Sequence, residues 1–368
     1  MSSLTVFLSG DVMTGRGIDQ IMRHPGDPAL YEPWARSALD YVDLAVRRNG
    51  PVPRAVPPEY VWGEALDALD SAGAGVRIIN LETAVTDRGR PWPGKGIHYR
   101  MSPANLGVID VARIDCCVLA NNHVLDWSYE GFSQTLESLH RHGLATGGAG
   151  EDVVGATKPA VIEHPPGTRV LVFSLGMASS GVPDSWAAGE GKPGVAFAGS
   201  ASNGVADTVI ARVVEAARPG DLVVVSIHWG QNWGYELPAS HGDFAHRLID
   251  SGAVHIVHGH SSHHPLGIEI HRGRLILYGC GDLINDYEGI AGHEEYRPDL
   301  GFLYLATMEP SSGSLESLSL IPMRMRRFRL ERAPVEDVEW LTRTANRQCR
   351  PLSVGIVDQG QGQLRATW

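Results

Sequence analysis

The most informative segment of the sequence is rich in histidine: Val254-His255-Ile256-Val257-His258-Gly259-His260-Ser261-Ser262-His263-His264-Pro265. Its first part, Val254 to Val257, is mostly β-branched and predicts a short strand. We expect the strand to break at Gly259 into a turn that carries His258, His260, His263 and His264. Neutral imidazoles are the commonest metal ligands in proteins, so histidines this dense favour a metal site at the end of a strand.

Composition places the chain among ordinary globular proteins. It has 368 residues, 43% hydrophobic and 20% charged, within reach of one large α/β domain. A formal net charge of −11 disfavours nucleic-acid binding, which needs a basic surface. The four cysteines have no C-x-x-C spacing and Cys116 and Cys117 are adjacent in an apolar run, which predicts buried thiols. With no signal-peptide pattern and no apolar segment near the roughly 20 residues of a spanning helix, we expect a cytoplasmic protein without membrane contact.

Polar residues stand at the ends of several predicted strands. They are Asp11, Glu82, Asn122 with His123, His228, and the pair His260 and His263. Taken singly, each has a structural interpretation, such as a helix cap or a hydrogen-bonded histidine. Taken together they predict one crevice, because strands of one sheet that end on the same side bring such groups together. Carboxylate, amide and imidazole ligands suit Mn²⁺, Fe²⁺ or Zn²⁺. Two ions about 4 Å apart need a bridging carboxylate, for which Glu82 is the natural candidate.

The order of these motifs resembles that of the capsule-synthesis CapA/PgsA family, whose fold is similar to the calcineurin-like metallophosphoesterases. The resemblance runs from about residue 4 to residue 290. It is carried by Gly10-Asp11-Val12-Met13-Thr14-Gly15-Arg16, Asn80-Leu81-Glu82-Thr83, Ala120-Asn121-Asn122-His123-Val124-Leu125-Asp126, His228-Trp229-Gly230 and Gly259-His260-Ser261-Ser262-His263. It implies an α/β protein, a four-layer α/β/β/α sandwich of the metallo-dependent phosphatase type. We expect residues 1–330 to form the CapA-like metallophosphoesterase domain and residues 331–368 to be a C-terminal extension that packs on it.

The resemblance also implies roles for single residues. The implied metal ligands are Asp11, Glu82, Asn122, His228, His260 and His263. His123 is implied as the general acid, and the nearby Asp126 is suited to orient its ring. Two departures bear on this assignment: Met13 stands where metallophosphoesterases have a histidine ligand, and Ser261 stands where the family's turn usually has one. Whether one or two ions bind, and whether His258 or His264 joins the site, stays open from the sequence.

Further residues are candidates for holding an anionic substrate. Arg16, Lys95 and Arg100 are cationic, and arginine in particular binds carboxylate or phosphate through two parallel hydrogen bonds. The alternative for these residues is surface charge, especially for Lys95. Trp229 follows a ligand position and is a candidate pocket wall, with core packing as the alternative. Asp282 and Asp286 are either turn residues or groups that orient a histidine, and residues 176 to 204 are predicted to form a long loop.

Three functions are compatible with this sequence. The first is a metal-dependent hydrolase of phosphate esters or a related small anionic substrate, in which one or two divalent ions activate a water and His123 protonates the leaving group. The second is an accessory or biosynthetic protein of polyglutamate or other amide-polymer metabolism, the role that the family name implies. The third is a non-catalytic metal-binding module, for which Met13 is the main argument. A homo-oligomer is compatible with all three.

Overall fold

The secondary structure is dominated by strands. The computed structural model describes residues 3–164 and 167–368. In chain order its strands are β1 Leu4–Val12, β2 Val76–Leu81, β3 Ala84–Val85, β4 Arg100–Met101, β5 Cys116–Val118, β6 Ala145–Gly147, β7 Ala149–Gly150, β8 Ala160–His164, β9 Thr168–Met177, β10 Gly194–Val195, β11 Phe197–Ala198, β12 Leu222–His228, β13 Ile256–His260, β14 Ile268–His271, β15 Arg274–Leu277, β16 Asp282–Ile284, β17 Leu300–Glu309, β18 Ser314–Arg326, β19 Arg329–Arg332, β20 Gly355–Gly360 and β21 Gln363–Thr367. Its α-helices are α1 Arg16–Asp19, α2 Leu39–Asn49, α3 Glu59–Trp62, α4 Ala65–Ser71, α5 Gly107–Asp110, α6 Ser128–Arg141, α7 Val153–Thr157, α8 Asn203–Ala216, α9 Ala239–Asp250 and α10 Val335–Cys349.

Two large sheets contain most of these strands. The first has the order β20-β21-β18-β17-β1-β2-β5-β6, with β16 paired to β1 and β19 to β18. The second has the order β11-β9-β12-β13-β15-β14, with β8 paired to β9. Within the first sheet β1, β2, β5 and β6 are parallel neighbours, and within the second β9, β12, β13 and β15 are parallel neighbours. Polar residues at the carboxyl ends of these parallel strands therefore collect at one edge of each sheet.

The sheets face each other across an apolar core, and helices cover their outer faces. Alternate residues of each strand point inward, so that Leu8 and Ile78 of the first sheet share one cluster with Val172 and Val224 of the second. The residues between them point outward. Those of the first sheet pack against α2, α4 and α6, and those of the second pack against α8 and α9. The expected four-layer α/β/β/α sandwich is confirmed.

Two strands near the site are longer than the sequence predicted. The expected break at Gly259 is wrong, because β13 continues through His260 and the chain turns at Ser261, which has a positive φ of 102°. Gly259 serves close packing instead, since a Cβ there would lie 2.5 Å from the carbonyl oxygen of Tyr278. Likewise β1, which the apolar run Leu4 to Leu8 predicted to end at Leu8, continues to Val12, because β16 pairs beside it and matches Asp11 with Asp282.

The end of the chain contacts the two-sheet core. Val338, Leu341 and Ala345 of α10 lie in the apolar cluster between the sheets, and β21 pairs with β18. Residue 330, the expected limit of the first domain, lies inside β19; the division into a domain and an extension stays a prediction. The expected long loop at residues 176–204 contains the short strands β10 and β11. No helix in the described part of the chain is long and apolar enough to cross a membrane.

Candidate metal centre

Four polar side chains of β12 and β13 point into the space between the sheets. Ser226 is paired with His258, and His228 with His260. Because side chains alternate along a strand, these four share the inward face. Trp229 comes one residue later and therefore points outward, where its indole N–H donates to the carbonyl of Tyr278 at 2.9 Å. Trp229 is buried against the helix-covered side of the sheet, which favours core packing over the predicted role as a wall of the substrate pocket.

The first sheet contributes two buried carboxyl groups opposite these histidines. Asp11 accepts a hydrogen bond from the Asn80 amide at 2.7 Å through Oδ1, whereas its Oδ2 has no hydrogen-bond partner among the described residues. Burial and then the charge of Asp282 raise the pKa of Asp11 to about 7. Burial and then the charge of Asp11 raise the pKa of Glu82 well above its usual range. The cost of burying both negative charges is relieved by a shared proton or by a cation.

The expected ligands converge on Asp11. Ligand atoms of Asp11, His228 and His260 lie within 4.8 Å of one another, and so do those of Asp11, His263 and Asp282. Glu82 Oε1 lies 3.8 Å from His228 Nε2, and Asn122 Oδ1 lies 3.2 Å from the same nitrogen. All six residues implied as ligands thus meet at one place between the sheets. Carboxylate, amide and imidazole ligands, together with the unpaired Asp11 Oδ2, suit a divalent first-row ion. Asp11 belongs to both groups of ligand atoms.

Hydrogen bonds fix which nitrogen His260 presents to this place. His258 Nε2–H donates to the carbonyl of Ser9 at 2.6 Å, so its Nδ1 accepts from the Ser226 hydroxyl at 3.1 Å. The Ser226 oxygen in turn accepts from His260 Nε2–H at 2.9 Å. His260 therefore presents the lone pair of Nδ1, which lies 2.8 Å from His228 Nδ1. His258 belongs to the support of the site and not to the group of ligand atoms.

His123 lies beside the carboxyl groups and is held by its neighbours. Its Nδ1 lies 2.6 Å from Asp126 Oδ2, and its Nε2 lies 3.8 Å from Glu82 Oε1. Asp126 also accepts from the Tyr99 amide at 2.7 Å, which fixes the carboxylate that orients the ring. Burial and then the charge of Lys95 lower the pKa of His123 to about 4. Its Nε2 is directed toward the centre.

The three cations expected to hold substrate are all engaged by protein groups. Lys95 donates to the carbonyl of Asn122 and to Asp126. Arg16 donates to Asp286 at 2.9 and 2.5 Å and to Glu32 at 3.1 Å. Arg100 donates to the carbonyl of Asp27 at 2.8 Å and lies over the Trp127 ring at 3.7 Å. These contacts favour a supporting role for each side chain.

Sequence reasoning placed too little weight on the segment after β15. Asp282 accepts from His263 Nδ1 at 2.8 Å and also accepts from the Asn285 amide at 2.9 Å. The Tyr287 hydroxyl lies 3.4 Å from His263 Nε2. The feature that could have revealed Asp282 is the one that revealed Asp11, a carboxylate shortly after an apolar run of sequence. His264, by contrast, accepts from the backbone N–H of Gly234 at 3.1 Å and is turned away from the ligand atoms.

A cavity of about 630 Å³ adjoins the centre through shared residues. Asn285 and Tyr287, which contact the His263 side of the centre, also line this cavity. Four arginines contribute to its wall: Arg48, Arg297, Arg324 and Arg326. Four carboxylates line it as well, those of Glu288, Glu294, Asp299 and Asp337, and Arg297 and Arg324 both donate to Asp337, so the arginine charge is balanced within the wall.

The fold and the site define an α/β sandwich with side chains that could hold a metal ion gathered between its two sheets. The chain belongs to the family described as bacterial capsule synthesis protein PGA_cap, whose sequence profile matches residues 5–287. The resemblance seen in the motifs is thus confirmed.

Named relatives agree with this family. The chain is 48% identical over 362 residues to a protein of Mycobacterium tuberculosis named probable polyglutamine synthesis accessory protein. The alignment covers 98% of this chain and 95% of the relative. It is 26% identical over 285 residues to the PGA biosynthesis protein CapA of Bacillus subtilis, covering 77% of this chain and 63% of that protein. Among solved structures, a novel phosphatase of Mycoplasma pneumoniae superposes with a TM-score of 0.49 at 12% identity, over 92% of this chain and 97% of that one.

Proposed function

We propose that this protein is a metal-dependent hydrolase that acts on a phosphate ester or a related anionic substrate during the synthesis of a capsule polymer such as polyglutamate. The observation that carries the proposal is the convergence of Asp11, His228, His260, His263 and Asp282 in two groups of ligand atoms that share Asp11. A cation held by these side chains would compensate the carboxylates buried among them. The names of the relatives support the link to polymer synthesis.

Each part of the site has a task in this function. When bound there, a divalent ion would polarise an anionic substrate and activate a water. The Ser226 hydroxyl holds His260 in the tautomer that offers Nδ1. Asp126 and Lys95 hold His123 beside the centre, where its Nε2 can exchange a proton with a substrate oxygen. The cavity beyond Tyr287 supplies room for the rest of the substrate, and its four arginines, set among four carboxylates, offer hydrogen-bond donors to it.

A non-catalytic role in polymer synthesis is the second candidate. It is favoured by the word accessory in the name of the relative from M. tuberculosis and by Met13. That methionine is fully buried where the metallophosphoesterase pattern has a histidine ligand, so one of the two ions would have fewer ligands. In this case the protein binds a metal and an anionic polymer without cleaving it. A cytoplasmic location and a homo-oligomer stay predictions under either function.

A metal titration followed by a substrate panel separates the two candidates. Purified protein is freed of metal with a chelator and reloaded with Mn²⁺, Fe²⁺ or Zn²⁺. It is then assayed on a phosphomonoester, a phosphodiester and a γ-linked glutamate polymer. We expect hydrolysis of one substrate that is lost both on chelation and in His228→Ala. Tight metal binding with no turnover of any of the three would reject the hydrolase and leave the accessory role.

A further inference from the structure

A second group of metal-binding side chains lies away from the centre between the sheets. Helix α9 and strand β14 face each other with two side chains each. His246 and Asp250 are four residues apart on α9, and Glu269 and His271 are two residues apart on β14. These spacings put each pair on one side of its element. The group is partly exposed, and it shares no residue with the candidate metal centre.

The four side chains already form two contacts between helix and strand. His246 Nε2 lies 2.8 Å from Glu269 Oε1, and His271 Nε2 lies 2.8 Å from Asp250 Oδ1. The rings of His246 and His271 are stacked with their centroids 4.1 Å apart. One ligand atom from each of His246, Glu269 and His271 lies within 4.8 Å of the others. Small side-chain rotations are therefore enough to direct all three at one ion.

Two neighbouring side chains, Tyr278 and Arg272, hold the two carboxylates of this group in place. The Tyr278 hydroxyl donates to Glu269 Oε2 at 2.7 Å, which fixes one carboxylate oxygen and leaves Oε1 facing His246. Asp250 accepts from His271 and is itself held by Arg272 Nε at 2.8 Å. Carboxylates that hold a histidine through its second nitrogen are the usual support of a metal ligand. A lone surface ion pair, such as His142 with Asp110 at 3.0 Å, has no such arrangement.

We infer that His246, Glu269 and His271 form a second, structural site for Zn²⁺ or a similar borderline divalent ion, with Asp250 orienting His271. Two imidazoles and a carboxylate are a common ligand set for zinc, with water completing the coordination. The site joins the helix that precedes β13 to the edge strand that follows the His263 turn. An ion there would hold the two elements that flank the histidines of the metal centre.

The test measures how many zinc ions bind and which elements they protect from hydrogen exchange. Chelator-treated full-length protein is titrated with Zn²⁺ by calorimetry, and hydrogen exchange is followed with and without the ion. Wild type is expected to bind about one equivalent more than His271→Ala or Glu269→Gln, since each removes one ligand. Zinc is expected to slow exchange in α9 and β14 of the wild type and not in these two variants. His142→Ala, which removes a paired surface histidine elsewhere, should behave as wild type.

The result is independent of the centre between the sheets. His228→Ala is expected to keep the peripheral zinc and its protection of β14 while losing metal at the other site. Unchanged stoichiometry in both Glu269→Gln and His271→Ala would show that the group is only a pair of ion pairs, and would overturn the proposal. So would zinc uptake that occurs only at millimolar concentration and leaves exchange in β14 unchanged.

Discussion

At the scale of the residue, the clearest prediction concerns Ser226, whose hydroxyl is hydrogen-bonded to one expected metal ligand, His260, and to the supporting His258. Ser226→Ala removes the group that accepts from His260 Nε2–H, so the ring can adopt the tautomer that protonates Nδ1. We expect the metal dissociation constant to rise about 10- to 100-fold, as for other groups that support a ligand, measured by calorimetry. Ser174→Ala is the matched control, because Ser174 lies level with Ser226 on β9 and its hydroxyl has no partner within the described chain. Equal affinity in the two variants would contradict the assignment.

His123 allows a test of chemistry at the same scale. It lies 3.8 Å from Glu82 through Nε2, close to the centre but outside both groups of ligand atoms. For a substrate with a poor leaving group, His123→Ala should lower turnover about 10²- to 10⁴-fold and leave the bound metal unchanged. A substrate whose leaving group needs no proton should be affected far less. If both substrates lose the same activity, or metal is lost too, His123 is a ligand or a structural residue.

At the scale of the element, β12 and β13 show what a sequence can and cannot reveal. Apolar runs that end in polar residues indicated both strands and the candidate ligands at their ends, because that pattern is local. The break predicted at Gly259 is wrong because a tertiary contact requires glycine there: the carbonyl of Tyr278, the residue after β15, leaves no room for a Cβ. The direction of Trp229 follows from the two-residue period of β12: counted from His228, it places the indole on the outer face of the sheet.

Helix α9 gives a pH prediction that does not involve the centre. His241 is buried and stacks on Trp229 with ring centroids 4.2 Å apart, and burial lowers its pKa to about 4. The unfolded chain has a histidine pKa near 6.5. Between pH 4 and pH 6.5 it therefore binds a proton at His241 that the folded chain does not bind. Folding stability is complete above about pH 7 and falls as the pH drops toward 4, by about 2 kcal/mol at pH 5 from this residue.

His241→Phe keeps the aromatic stack but cannot bind a proton. Urea unfolding at pH 8 and pH 5 should show that the variant loses about 2 kcal/mol less than wild type over this interval. His140→Phe, at an exposed position, serves as the control. An identical loss in wild type and His241→Phe would show that His241 is protonated in the folded protein.

At the scale of the whole molecule, the sequence could predict the four layers and most of the expected ligands, and it could not predict how the charges between the layers are balanced. The strand-end residues follow from local pattern. The partners of Arg16 do not, because Asp286 lies 270 residues away in the chain and reaches Arg16 only through the pairing of β16 with β1. The same pairing brings Asp282 level with Asp11. Contacts of this kind depend on the assembled sheets and leave no periodic pattern in the sequence.

The assembled centre also predicts how metal affects the entire fold. Asp11, Glu82 and Asn122 come from the first sheet or the turns after its strands, whereas His228, His260 and His263 come from the second sheet and its turn. An ion bound to both sets links the two sheets and compensates buried carboxylates, so it binds the folded protein and not the unfolded chain. At a free ion concentration about 100 times the dissociation constant, the stabilisation is about 2.7 kcal/mol.

Thermal unfolding checks this whole-molecule prediction. Mn²⁺ should raise the melting temperature of chelator-treated wild type, and chelation should reverse the rise. The rise should shrink or vanish in His228→Ala but persist in His142→Ala, since His142 is a surface residue on the helix-covered side. Because the ion joins both sheets, loss of metal should shift one cooperative transition and not split it into two. A separate early transition on chelation, or an equal rise in His228→Ala, would show that the metal does not connect the sheets.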